Sequence, residues 1–122
     1  MRHLMVLLCL APAAFAGTWS GILVDANCYQ AAESNVNPTD TSLADRDMDG
    51  EVASCHPTRK TKTFAIVEQD WTALKLDRSS GAKAADIVRN SVRSSGKKAP
   101  IYVTVTGERH KNTIAVASLS LK

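Results

Sequence analysis

The sequence has no apolar run of the ~20 residues that a transmembrane helix needs, and it lacks several short motifs typical of catalytic and zinc sites. The apolar stretch Leu4–Leu10 is too short to span a bilayer, and no longer one follows it. No G-x-S-x-G nucleophile elbow, C-x-x-C pair or H-x-x-x-H pair is present. These absences argue against an integral membrane protein, a serine hydrolase and a zinc protein. We therefore expect no enzymatic activity.

Residues 1–16 have the pattern of a secretory signal peptide. A short polar start, MRH, precedes the apolar run, and the small residues of Ala14-Phe15-Ala16 match the positions that signal peptidase reads. We expect cleavage after Ala16, which leaves residues 17–122 as a single domain. The mature protein is then expected to be a secreted or periplasmic monomer without a membrane span. An uncleaved membrane anchor is the alternative.

Three cysteines are present, and Cys9 lies within the signal peptide. The remaining pair, Cys28 and Cys55, is expected to form a disulfide, because exported proteins mature in an oxidising compartment. Closing this ring is expected to stabilise the domain by roughly 3.5 kcal/mol through loop-closure entropy. The alternative is a soft-metal site made of both cysteines, His56 and His110, but their spacing is not that of a known metal motif.

Hydrophobic periodicity predicts five strands and one helix. The strands fall at residues 18–25, in two segments of 61–77 around a turn at Gln69-Asp70, and in two segments of 99–121 around the sequence GERHKN. Residues 79–96 have helical spacing, with one apolar face made of Ala84, Ile87, Val88 and Val92. This order is that of a mainly β, five-stranded OB-like barrel with one helix between strands 3 and 4. Trp19 and Tyr102 are expected to pack in the barrel.

Residues 26–61, which follow the first strand, have no apolar periodicity and are rich in turn-forming residues. We expect a long loop inserted into the domain and clamped by the disulfide. Its charge is acidic, since residues 25–51 contain seven acidic residues and one basic residue. Residues 52–122 contain thirteen basic and five acidic residues. The acidic loop can therefore pair with the basic remainder of the chain.

The alternation of acidic residues in the stretch DRDMDGEVASCH (45–56) also matches the first half of a calcium loop. Such a loop ends in a bidentate carboxylate at position 12, where this chain has His56, whose nitrogen is a poor ligand for Ca²⁺. A solvated acidic loop without metal is therefore our main interpretation. Weak calcium binding is the alternative, and Ca²⁺ is the only cofactor that the sequence raises. Its ligands would be Asp45, Asp47, Asp49 and Glu51.

The opening WSGILVDANC, followed by a second cysteine, and the closing VTVTGERHKNTIAVASL resemble small secreted bacterial proteins of unknown function. Those proteins have a G-x-[IL]-x-D-x-x-C start, matched here by Gly21, Leu23, Asp25 and Cys28. The closing hairpin is also similar to that of the periplasmic bacterial OB-fold family. The resemblance covers the strands at both ends of the chain and leaves residues 29–60 unmatched. It implies an OB-like barrel and export, and it implies no activity.

The region around strands 2 and 3, which OB folds use to bind oligonucleotides or sugars, is basic and has one tryptophan. Basic and aromatic residues together are typical of single-strand nucleic-acid binding, but export argues against a nucleic-acid partner. We expect a non-enzymatic binding or envelope-interaction module that binds an anionic cell-envelope polymer, a glycan or a protein. A basic, solvated face without a ligand is the alternative. The candidate binding residues are Arg59, Lys60, Lys62, Trp71, Lys75 and Arg78.

Overall fold

Five strands form a closed barrel in the computed structural model, which describes residues 15–34, 48–95 and 99–122. Apolar residues at every second position give each strand one face suited to a buried core. The strands are β1 (Phe15–Asp25), β2 (Phe64–Val67), β3 (Ala73–Leu76), β4 (Tyr102–His110) and β5 (Thr113–Leu121). They close in the order β1-β2-β3-β5-β4. This architecture confirms the predicted five-stranded, mainly β barrel.

Strand β1 is shared between two neighbours, and this sharing helps to close the barrel. Its residues 22–25 pair with β2, whereas its residues 15–22 pair with β4, both in antiparallel register. Closure on the other side comes from a short parallel pairing of β3 with β5. The predicted cleavage after Ala16 would remove the first two residues of β1 and leave the rest of the strand to pair.

The barrel encloses a hydrophobic core built from alternate strand residues. Val103 and Val105 of β4 are fully buried, as are Leu74 of β3 and Ile114 of β5. Trp19 of β1 is half-buried and packs against this core, as its predicted place in the barrel requires. The predicted alternation of β4 is therefore correct for its inward-facing residues.

The helix expected over residues 79–96 is α3 (Gly81–Ser95), which lies between β3 and β4 in the chain and follows a 3₁₀ helix at Arg78–Ser80. Its predicted apolar face packs on the barrel core: Ala84, Ile87 and Val88 are buried, and Val92 is partly buried. The Ser80 hydroxyl donates to the Asp77 carbonyl at 2.8 Å, which secures the start of this helical segment. Among the described residues, no helix is both long and apolar enough to cross a membrane.

The prediction of a single helix is wrong, because residues 26–61 contain two more. Helix α1 spans Ala26–Ser34, and helix α2 spans Met48–Ser54. Both are short, and α2 includes a glycine and two acidic residues, so propensity and periodicity alone do not indicate them. Such short helices depend on packing against the rest of the fold for their stability.

That packing occurs on the outer side of the barrel, where β1 and β2 present apolar residues away from the core. Val24, Ala65 and Val67 face outward, and without a cover they would lie in water. Tyr29 of α1, together with Met48 and Val52 of α2, covers them. The resulting outer cluster consists of Val24, Ala26, Tyr29, Met48, Val52, Cys55, Ala65 and Val67, all buried.

The predicted disulfide joins the two covering helices. Cys28 lies in α1 and Cys55 directly follows α2, with their Cα atoms 5.4 Å apart. The Asp25 amide also donates to the Cys55 carbonyl at 2.8 Å, which fixes the end of α2 to β1. The disulfide therefore clamps this segment as predicted, but what it clamps includes a helical cover over the sheet.

Asp25 connects the end of β1 to the start of α1. Its Oδ1 accepts a hydrogen bond from the Cys28 amide at 3.1 Å, which satisfies a free donor in the first turn of the helix. Its Oδ2 accepts a hydrogen bond from the Thr61 hydroxyl at 2.9 Å. The carboxylate thus holds both the helix and the segment that leads into β2.

Gly21 allows β1 and β2 to approach closely. A Cβ atom built there would lie 2.6 Å from the Val67 carbonyl oxygen, well inside van der Waals contact. Leu23 is fully buried in the barrel core. With the cap at Asp25 and the disulfide at Cys28, these four residues each have a structural role.

Candidate functional site

An open groove of about 660 Å³ lies on the outer surface, next to the outer cluster. Residues 20–22 of β1 line it, as do residues 67–71 at the turn that joins β2 to β3. Tyr102 at the start of β4, Lys122 just after β5 and Asp49 of α2 complete the lining. We call this site the aromatic groove.

Trp71 is the first aromatic residue of the groove, and its backbone is held in an unusual conformation. Its φ angle is 67°, in the left-handed region that bulky residues rarely adopt, at a cost of roughly 1–3 kcal/mol. The Trp71 amide donates to the Glu68 carbonyl at 3.0 Å. Its half-buried side chain packs against the outer cluster. The fold thus fixes the position of this ring at the edge of the groove.

Tyr102 is the second aromatic residue, and its predicted packing inside the barrel is wrong. Its neighbours in β4, Ile101 and Val103, occupy the core, so strand alternation directs Tyr102 outward. The side chain is 52% exposed, although large apolar and aromatic surfaces are usually buried. An exposed tyrosine and a tryptophan that line the same groove form an amphipathic surface that can stack on a ligand while hydrogen-bonding to it.

The turn between β2 and β3 is ordered by Asp70. Its Oδ1 accepts a hydrogen bond from the Thr72 amide at 3.0 Å. Hydrogen bonds from the Thr72 backbone and side chain lower the pKa of Asp70 below its usual value of 3.8, and the positive charge of Arg109 adds to this effect. Asp70 is therefore ionised at neutral pH.

The charge of the groove is negative. Asp49, Glu68 and Asp70 line it, and Lys122 is the basic residue among its lining. This charge is opposite to that of the binding surface predicted from the basic residues. A ligand that carries positive charge is favoured here over one that carries negative charge.

Of the predicted binding residues, Trp71 lines the aromatic groove, and the five basic residues are not part of its lining. Arg59 lines a second depression of about 510 Å³ beside α3, together with Arg89 and Asp86. Lys75 pairs with Ala65, toward the opposite end of the β2–β3 hairpin from Trp71. Lys60, Lys62 and Arg78 are also exposed. A role for these basic residues in binding an anionic polymer stays a prediction.

The predicted calcium ligands are described only in part, since Asp45 and Asp47 lie outside the described residues. Asp49 and Glu51 both belong to α2. Residues two positions apart on a helix do not share a face, so these two carboxylates diverge. Calcium binding stays a prediction, and calorimetry of the protein with millimolar Ca²⁺ tests it.

The cysteines and histidines do not gather as a soft-metal site would require. Both cysteines are used in the disulfide. The two ring nitrogens of His56 lie 3.0 Å from the carbonyl oxygens of Pro57 and Ala99, so the ring ties the end of the 26–61 segment to the chain before β4. In the described part of the chain, no three His, Cys, Asp or Glu side chains lie close enough to hold a metal ion.

Sequence reasoning found Trp71 and its turn, but it did not find the groove. The other residues of the site come from β1, α2, β4 and the end of β5, which are far apart in the sequence. The one available signal was the outward position of Tyr102 in the alternating pattern of β4. No protein-family model, curated protein or solved structure matches this chain.

Proposed function

We propose that this protein is an exported, non-enzymatic binding module with an OB-type barrel, and that its ligand occupies the aromatic groove. The observation that carries the proposal is the pair of aromatic side chains, Trp71 and Tyr102, lining one open groove with several carboxylates. Binding sites typically combine aromatic surface with a few polar groups that orient the ligand. OB folds bind ligands around strands 2 and 3 and the adjoining loops, and the turn of the β2–β3 hairpin borders this groove.

Export is supported by two features. The amino-terminal sequence has the order of a signal peptide. The Cys28–Cys55 disulfide is of the kind that persists in secreted and periplasmic proteins. The resemblance to small secreted bacterial proteins with an OB-like barrel agrees with both features. We further propose that the mature protein acts as a monomer.

The charge of the groove narrows the choice among an anionic envelope polymer, a glycan and a protein partner. Carboxylates in the groove repel a polyanion, so the anionic polymer is the least favoured ligand for this site. A glycan and a protein segment both remain compatible with two aromatic side chains and several hydrogen-bonding groups.

The proposal is tested by titrating ¹⁵N-labelled protein with three probes: chitotetraose, an end-blocked heptapeptide with one lysine, and polyglutamate. We expect at least one of the first two probes to shift the signals of Ser20, Tyr102 and the Trp71 indole. Trp71→Asn removes the ring with a residue that tolerates the left-handed backbone. This variant, like Tyr102→Ala, should weaken binding by about tenfold, equal to ~1.4 kcal/mol.

The matched control is His110→Ala, which changes an exposed residue at the far end of the same strand as Tyr102. It should bind like the unmodified protein. Signal changes confined to Arg59, Lys62 and Arg78, or no change with any probe, would show that the groove is not the binding site.

A further inference from the structure

We infer that the ligand of the aromatic groove is an extended peptide segment with a basic residue, and that it adds as a strand to the open edge of β1. The inference rests on the proposed function, since it names the ligand of the same groove. It commits to a protein partner, and a glycan ligand is one of the outcomes that the experiment below can return.

The first observation is that β1 extends beyond its partner β2. The pairing with β2 ends where Ile22 faces Val67, because β2 turns away at that point. The pairing of β1 with β4 continues from Ile22 back to Phe15. Among the described residues, residues 15–21 of β1 therefore pair with β4 on one side and with no strand on the other side.

The second observation concerns the direction in which the backbone groups of β1 point. Leu23 donates its amide to the Ile101 carbonyl at 2.8 Å, on the side of β1 that faces β4. Backbone groups of successive residues alternate between the two sides of a strand. The amides and carbonyls of Thr18 and Ser20 therefore face the opposite side, where β2 is missing. Thr18 is exposed and Ser20 is half-exposed.

The third observation is that the groove borders the place that a longer β2 would have filled. Ser20 and Ile22 line it together with the turn from Glu68 to Trp71, while Tyr102 and Lys122 line it from the β4 side of β1. An unpaired strand edge is a template for another strand, and many domains bind extended peptides in this way. A bound peptide would pair with the amides and carbonyls of Thr18 and Ser20 while its side chains reach the residues that line the groove.

The fourth observation indicates which kind of side chain the bound peptide should place in the groove. Asp49, Glu68 and Asp70 attract a positive charge, and the rings of Trp71 and Tyr102 offer faces for a cation–π interaction with lysine or arginine. A neutral glycan would use the rings, but it would gain little from the negative charge and could not continue the backbone ladder. Edge, rings and charge together favour a basic peptide.

The experiment uses end-blocked heptapeptides that alternate threonine and valine around a central lysine, glutamine or glutamate. We expect the lysine peptide to bind about tenfold more tightly than the glutamine peptide, equal to ~1.4 kcal/mol. We expect the glutamate peptide to bind more weakly still. Raising the salt concentration should reduce the difference between the lysine and glutamine peptides, because it screens the charges. Glu68→Gln combined with Asp70→Asn should remove most of the same difference.

Pairing with the β1 edge is tested separately from charge. N-methylation of every second residue removes backbone donors from one edge of the lysine peptide. N-methylation can be placed on the odd or on the even positions of the peptide, which gives two methylated registers. One register should abolish binding, because it removes the donors that face β1, whereas the other should leave binding intact. On the protein, Thr18→Pro removes a donor that faces the open edge without removing one that pairs with β4. It should weaken binding of the unmethylated lysine peptide, whereas Thr18→Val should not.

The outcomes distinguish the two proposals. Equal binding of the three peptides would contradict the charge argument, and equal binding of both methylated registers would contradict strand addition. If chitotetraose shifts Ser20 and Trp71 while none of the peptides binds, the groove is a glycan site and the inference of a peptide ligand is wrong. If no probe shifts these residues, the proposed function fails as well.

Discussion

Removing the disulfide should cost this domain a large share of its stability. The bond between Cys28 and Cys55 closes a ring with a sequence separation of 27 residues. Loop-closure entropy for a ring of this size corresponds to about 3.5 kcal/mol at 25 °C. Small domains have a total unfolding free energy of only about 5–15 kcal/mol. The expected loss is therefore comparable to the smaller of these values.

The variant for this test is Cys28→Ser with Cys55→Ala, because Cys28 is partly exposed and Cys55 is 1% exposed. Urea unfolding followed by circular dichroism gives both the free energy and its dependence on denaturant. We expect a lower midpoint and a steeper dependence, since the unfolded chain without the crosslink exposes more surface. With an unfolding entropy of about 2.1 cal/mol/K per residue, the melting temperature should fall by about 15 °C.

Ser54→Ala is a suitable control, because it changes an exposed residue next to Cys55 and leaves the bond intact. Its unfolding free energy should stay within about 0.5 kcal/mol of the unmodified protein. A loss below about 1 kcal/mol in the double variant would refute the reasoning. It would show that packing in the outer cluster, rather than the crosslink, holds α1 and α2 on the sheet.

Three further predictions concern the residues that build the fold. Gly21→Ala should destabilise the protein by about 1–3 kcal/mol in urea unfolding, because its Cβ would meet the Val67 carbonyl. The control is Gly17→Ala, whose Cβ would meet the Trp19 ring, and equal stability of the two variants would contradict this prediction. Asp25→Ala should cost about 1–2 kcal/mol through loss of the α1 cap, whereas Asp25→Asn keeps an acceptor and should cost less; the reverse order would count against the cap. Above pH 3.8 the unmodified protein should melt at a higher temperature than Asp70→Asn, because the pKa of the folded carboxyl is lowered. As the pH falls through that lowered pKa the difference should vanish, and a difference that persists in acid would contradict the hydrogen bonding at Thr72.

Part of this fold is predictable from the sequence because its signals are local. Strand alternation identified the inward residues Val103 and Val105, and helical spacing identified the face of α3 that contains Ala84. The predicted export, together with the two cysteines that remain after the predicted cleavage, indicated the disulfide. Each of these features depends on residues within one element or on a single pair of cysteines, so it can be recognised without knowledge of the tertiary structure.

Helices α1 and α2 were not predictable in the same way. Their stability depends on contact with the outward residues of β1 and β2, such as Val24 and Ala65, and on the disulfide between them. A strand that is covered on both faces loses its clean alternation, so the outward residues of β1 and β2 did not indicate a cover. The groove was missed for a related reason, since its residues meet only after the barrel has closed.

The most direct test of the account is amide hydrogen exchange at β1, measured with and without the lysine heptapeptide. In the free protein, the amides of Thr18 and Ser20 should exchange rapidly, because they face the open edge, whereas that of Trp19 should be protected by β4. Addition of the peptide should protect Thr18 and Ser20 and leave Trp19 unchanged. Slow exchange of Thr18 and Ser20 in the free protein, or no added protection at saturating peptide, would contradict the account.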